Sequence, residues 1–148
     1  MTRTYSFGPG ARLLNSVFTG MTRLGLGARY RYVLSVAGRT TGKVRSTPVD
    51  VMSENGNRWV VSAYGVVGWV LNARVTKQVT LSRGGQSERV TLVELDPAKS
   101  VPVLRKYMLE VPITRQYFDA APDSTDEVIR REVVRHPVFA VSPVTAQT

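Results

Sequence analysis

The sequence predicts an α+β fold, a small antiparallel β-barrel with helices packed around it. Short apolar runs rich in β-branched residues recur along the middle of the chain, separated by turns that hold glycine or asparagine. That pattern reads as strands joined by hairpins. Hairpins pair neighbours antiparallel, and parallel neighbours need long crossovers, so a parallel Rossmann sheet is excluded. Helical periodicity falls at the N-terminus and in the last third, which leaves helices to cover the strands from outside. With 148 residues and 43% hydrophobic content the chain can bury a real core, and one domain over residues 1–148 is expected.

In chain order, residues 1–8 read as a loose arm. Pro9 suits the first turn of a helix that runs to about Leu24, with Gly25 and Gly27 ending it (residues 9–26). Leu13, Leu14, Val17, Phe18, Met21 and Leu24 form one stripe at helical spacing. The stripe either packs on the sheet, or it meets a membrane surface or lines an apolar pocket.

Val33–Ala37 and Val49–Met52 are apolar runs that flank a turn. Ser53-Glu54-Asn55-Gly56-Asn57 carries a strong hairpin signal in its Asn-Gly, and Trp59–Ala63 follows as the antiparallel partner. Residues 64–68 form a glycine-bounded loop, and Trp69–Arg74 is a short helix. Val79–Arg83 and Arg89–Leu95 make a second hairpin about Gly84-Gly85. Pro97 opens a helix with Val101, Leu104, Tyr107 and Met108 on one side. Residues 111–119 are ambiguous between states. Thr125 or Asp126 caps a charged helix, Glu127–Arg135. Pro137 stops that helix, Val138–Val141 is a closing strand, and residues 143–148 are a frayed tail. The count is five or six strands.

The net charge is +9 and unevenly placed. Eight Arg or Lys precede Asp50, the first acidic residue, and six of the eleven acids lie between Glu110 and Glu132. Such a split favours an acidic partner for the N-terminal half: nucleic acid, an anionic membrane or a polyanionic small molecule. Cysteine is absent, which removes disulfides, thiolate metal sites and cysteine nucleophiles, and fits a cytoplasmic location. A single histidine, His136, leaves no multi-histidine metal site, and no metal is expected. No signal-peptide-like run and no stretch of membrane-spanning length occurs, so a targeting segment is not expected either.

The turn between the first two strands is the chemically richest stretch. It gathers Arg39, Lys43 and Arg45 with the hydroxyls of Thr40, Thr41, Ser46 and Thr47 and the backbones of Gly38 and Gly42. Charge, hydroxyls and exposed N–H groups together suit a phosphate or a carboxylate. A solvated basic hairpin carries the same residues and needs no ligand.

Three stretches in order resemble the deazaflavin-dependent nitroreductase family, reductases that use coenzyme F-420 on a split β-barrel. Gly38-Arg39, the Thr-Thr-Gly that follows, Lys43-Val44-Arg45 and Pro48 match its glycine-arginine turn pattern. Trp69-Val70-Leu71-Asn72 is similar to its tryptophan-to-asparagine element. His136-Pro137-Val138-Phe139 is similar to the ending of many members. The resemblance spans roughly Tyr30 to Val141.

The resemblance implies a role for each matching position. Arg39, Thr40, Thr41, Lys43 and Arg45, turned by Gly38, would hold the coenzyme's phosphate and acidic tail. Ser46, Thr47 and Pro48 would run beside the deazaflavin, Ala63, Tyr64 and Gly65 would form the next cofactor loop, and Trp69 and Asn72 would complete that wall. Some members carry a lysine where this chain has Tyr64, so one anion contact is either lost or supplied by Arg74. The implied reaction is hydride transfer to a quinone, an activated alkene (enone) or a nitroaromatic. Tyr107 and Tyr117 are the candidates to donate a proton or stack on a flat acceptor.

Three other readings stand beside this one. The same fold could bind a fatty acid without catalysis. FMN is a rival cofactor, because split barrels elsewhere bind it. Nucleic acid is disfavoured, because no aromatic-rich strand face or reading motif is present. The chain is expected to be a monomer or a homodimer, with peripheral contact to an anionic membrane left open.

Overall fold

The computed structural model describes residues 30–144, so the expected arm and helix of residues 1–26 lie outside the described residues, as does most of the tail. Six strands close into an antiparallel barrel: β1 (Arg31–Ala37), β2 (Val44–Glu54), β3 (Asn57–Val61), β4 (Gln78–Arg83), β5 (Gln86–Glu94) and β6 (Val138–Pro143). Around the barrel the order is β1-β2-β3-β6-β5-β4, with β4 paired back onto β1.

Side-chain alternation divides the strands between two cores. Leu34, Val36, Val49, Val51, Val60, Leu81, Leu92 and Phe139 fill the barrel interior. Met52, Val61 and Val138 face outward into a second cluster under the helices. Helix α1 (Gly68–Thr76) crosses from β3 to β4 and contributes Trp69, Val70 and Ala73 to the interior core. Helix α2 (Pro97–Glu110) lays Val101, Leu104, Tyr107 and Met108 over the outer face, with Asp96 capping its start through Lys99 N–H at 2.8 Å. A short 3-10 helix (Pro112–Tyr117) follows, then α3 (Asp126–Glu132), which Thr125 caps. No helix among the described residues is long and apolar enough to cross a membrane.

Two boundaries differ from the sequence reading in ways that matter for function. β2 begins at Val44, because Val44 pairs with Ala37, so Arg45, Ser46, Thr47 and Pro48 lie on a strand rather than in the turn. The ambiguous stretch after α2 winds into the 3-10 helix, with Pro112 at its start.

Candidate active site

The turn that joins β1 to β2 is tight. Gly38 N–H donates to the Lys43 carbonyl at 2.8 Å, and Gly42 N–H donates to the Gly38 carbonyl at 2.9 Å. Gly42 sits at φ +74°, a left-handed conformation that costs an L side chain about 1–2 kcal/mol. A Cβ at Gly38 would lie 3.2 Å from the Lys43 carbonyl oxygen, so this position also suits glycine.

From Arg39 to Ser46 every side chain is exposed. Among the described residues Arg39, Lys43 and Arg45 have no carboxylate partner, whereas Arg58, Arg74, Arg105, Arg131 and Arg135 each have one. Arg39 and Lys43 of the turn and Arg45 at the start of β2 therefore form a patch of uncompensated positive charge, which attracts anions. Arg74, the suggested substitute contact, is committed elsewhere. Its guanidinium makes a two-pronged pair with Glu94 at 2.9 and 2.8 Å.

Asn72 anchors the turn from below. This buried side chain accepts from Arg39 N–H at 3.0 Å and from Arg39 Nη1 at 2.9 Å, both on Oδ1. It supports the turn from within the helix that also carries Trp69. Trp69 lies one helical turn earlier on α1. Its ring tilts against Phe139 with centroids 5.5 Å apart, and its edge reaches a pocket on the outer side of the barrel.

That pocket has a volume of about 390 Å³. Pro48, Ala63, Tyr64 and Trp69 form one side, Thr114 and Tyr117 of the 3-10 helix the other, and Arg31 and Asp50 the strand-built wall. The Tyr64 and Tyr117 rings meet edge to face, with centroids 5.1 Å apart. Ser62 Oγ–H donates to the Gly65 carbonyl, which folds back the loop that carries Tyr64.

His136 braces the two sides from behind. Its Nδ1 lies 3.1 Å from the Ser62 carbonyl and its Nε2 lies 2.9 Å from the Tyr117 carbonyl. Its ring stacks on Phe118 at 4.0 Å between centroids. Burial lowers the His136 pKa, against the opposing pull of the Ser62 carbonyl and the Glu132 charge.

Tyr107 does not stack on anything in the pocket. Its ring is fully buried in the cluster under α2, and its hydroxyl donates to Asp50 Oδ2 at 2.5 Å. Burial, then the charge and hydrogen bond of Asp50, push its pKa well above the phenol range. The reading of Tyr107 as an acceptor-stacking residue is corrected: the apolar stripe of α2 draws the ring into the core. Tyr117, half-exposed, lines the pocket.

Residues 18–126 match the family model described as F420H(2)-dependent quinone reductase. The chain belongs to that family. It is an F-420-dependent oxidoreductase, and coenzyme F-420 is its cofactor. Among curated proteins nothing matches.

Solved structures share the fold at low identity. An F420-H2 dependent reductase (FDR-A) is 20% identical, with TM-score 0.54 over 77% of this chain and 95% of its own. A protein described as a domain-swapped dimer is 20% identical, with TM-score 0.58 over 90% of this chain and 93% of its own. A putative 5-nitroimidazole antibiotic resistance protein from Bacteroides thetaiotaomicron is 13% identical, with TM-score 0.51 over 78% and 74%.

The residues present suit the coenzyme. Its phosphodiester and glutamate tail need exposed uncompensated cations, which the turn provides, and its flat ring needs an aromatic-edged cleft, which the pocket provides. Arg31, Asp50, Ser62 and Thr114 were not foreseen as pocket residues. Asp50 alone carried a signal, as the single charge inside the apolar run Val49–Met52.

Proposed function

We propose that the protein reduces a small, flat, electron-poor acceptor, with a quinone first and enones and nitroaromatics beside it. The observation that carries this reading is the continuity of the site. Among the described residues Arg39 and Lys43 on the turn and Arg45 at the start of β2 have no carboxylate partner, and β2 runs on directly into the pocket. Arg45 and Pro48 are three residues apart, which is about 10 Å along an extended strand.

Arg39, Lys43 and Arg45, with Thr40 and Thr41, bind the phosphate and acidic tail of the coenzyme. Ser46, Thr47 and Pro48 border the ring, with Ala63, Tyr64, Gly65 and Trp69 beside them. When bound, the reduced coenzyme supplies a hydride. The chain's own part is placement: anchoring a remote charged tail fixes the ring, and orientation of this kind can lower a barrier by roughly 7–11 kcal/mol in favourable cases. Tyr64 and Tyr117 offer aromatic faces to a flat acceptor, and the Tyr117 hydroxyl is the candidate to pass it a proton. Water is an alternative proton source.

Steady-state oxidation of the reduced coenzyme with a panel of quinones, enones and nitroaromatics tests the proposal. Saturable turnover with a quinone, lost when Tyr117 becomes Ala but with coenzyme affinity retained, is the expected result. Turnover that is indifferent to every acceptor class would overturn the choice of substrate.

A further inference from the structure

We propose that Arg31 stabilises the negative charge that develops on the acceptor's oxygen during reduction, and that Asp50 and Tyr107 are the positioning residues that hold it there. The inference rests on the reductase reading of the same pocket.

Arg31 and Asp50 are directly opposite each other on the first rung of the β1–β2 ladder, and both line the pocket. Arg31 Nε–H donates to Asp50 Oδ1 at 2.9 Å, while Tyr107 O–H donates to Asp50 Oδ2 at 2.5 Å. Both carboxylate oxygens are thus engaged, one from the strand beside it and one from the helix behind it. The side chain of Asp50 is 7% exposed and that of Arg31 is 20% exposed, so the guanidinium is the member of the pair nearer solvent.

Packing alone does not call for this arrangement. A buried ion pair contributes little net stability compared with apolar residues of the same size. Neighbouring outward positions on β2 and the rest of the buried face of α2 are mostly apolar, which shows what the element could have carried instead: Met52, Val101, Leu104 and Met108. A carboxylate tied on both oxygens does serve to fix a guanidinium plane. Burial acts to lower the pKa of Arg31, but the charge and hydrogen bond of Asp50 outweigh it, and the group stays cationic throughout the working range.

The guanidinium, the more exposed member of the pair, is the group of the wall that suits an acceptor bearing a carbonyl oxygen. During reduction a carbon or ring atom of the acceptor gains the hydride, and a pair of π electrons moves onto the carbonyl oxygen. The reduced deazaflavin is the two-electron donor and is oxidised. A fixed cation beside that oxygen stabilises the anion until a proton arrives from water or through Tyr117.

The first test uses the protein without coenzyme and para-nitrophenol as probe, titrated by absorbance at saturating protein. Bound to the wild type, the phenol should ionise at least about one pH unit below its free value, because a cation at the wall favours the phenolate. The shift should vanish in Arg31→Met/Asp50→Asn, a double variant that leaves no lone buried charge and so retains the fold. The second test is turnover. The double variant should lose on the order of 10²–10³-fold in kcat with a quinone, with coenzyme affinity within about twofold of wild type. Tyr107→Phe should lose less, in kcat rather than KM. A phenol shift that survives in the double variant, or a kcat that does not change, would overturn the inference while leaving the reductase reading intact. A wild type that neither binds the coenzyme nor oxidises it with a quinone would overturn both, and the coenzyme titration separates that failure from the first.

Discussion

Replacing Asn72 with Ala removes the support of the anion-binding turn without touching a charge. The lost acceptor serves two donors of Arg39, the backbone N–H at 3.0 Å and Nη1 at 2.9 Å. A neutral hydrogen bond is worth about 0.5–1.5 kcal/mol and one to a charged group about 1.5–3 kcal/mol. Arg39 is exposed, so water recovers part of both, and a net loss of about 1–2 kcal/mol in turn order is reasonable. If the coenzyme must repay that ordering on binding, its Kd rises about 5- to 30-fold. Fluorescence titration of the coenzyme measures this directly. Arg39→Ala keeps the backbone N–H, so adding Asn72→Ala to it should cost only the backbone contact, about 1 kcal/mol, and the double-mutant cycle divides the two bonds. An Asn72→Ala variant that binds the coenzyme within twofold of wild type would refute the view that this asparagine holds the turn for its ligand.

Other consequences are readily measured. Tyr107→Phe should lower unfolding free energy by roughly 1.5–3 kcal/mol, because it leaves a buried carboxylate oxygen short of a donor; urea denaturation reads it. His136 has a folded pKa below its ordinary 6.5, so the unfolded chain takes up the proton first. Its contribution to stability is therefore full above pH 6.5 and falls as pH drops through the lowered folded value, and urea midpoints should lose that acid-side decline in His136→Gln. Coenzyme affinity should weaken steeply with added salt, because Arg39, Lys43 and Arg45 act from exposed positions; a salt-independent Kd would mean that the tail binds elsewhere.

Local chemistry was legible in the sequence, and long-range partnership was not. Asn55-Gly56 and Gly84-Gly85 announce their hairpins because only certain backbones turn that tightly, and both turns are present. The cationic turn announces itself by composition. Arg45, Ser46 and Thr47 read as turn because they are polar, but one face of a strand can be polar too, and the pairing of Ala37 with Val44 decides the matter. Asn72 and Arg39 are 33 residues apart, and Tyr107 and Asp50 are 57 apart; only closure of the barrel and docking of α2 bring them together. The same holds for the pocket, one side of which comes from β2, the loop after β3 and α1, and the other from the 3-10 helix. Helical periodicity places Tyr107 on the apolar stripe, which accounts for its burial, yet the buried partner of its hydroxyl has no local signature.

The most direct test of the central claim is anaerobic single-turnover mixing of the reduced coenzyme, bound to the protein, with a quinone. The absorbance of the oxidised deazaflavin reports the reaction. The expected result is a rate that saturates with quinone in the wild type, with coenzyme binding abolished in Arg39→Ala/Lys43→Ala/Arg45→Ala and little binding of FMN. Equal coenzyme binding by the triple variant, or no quinone-dependent oxidation by a wild type that holds the coenzyme, would contradict it.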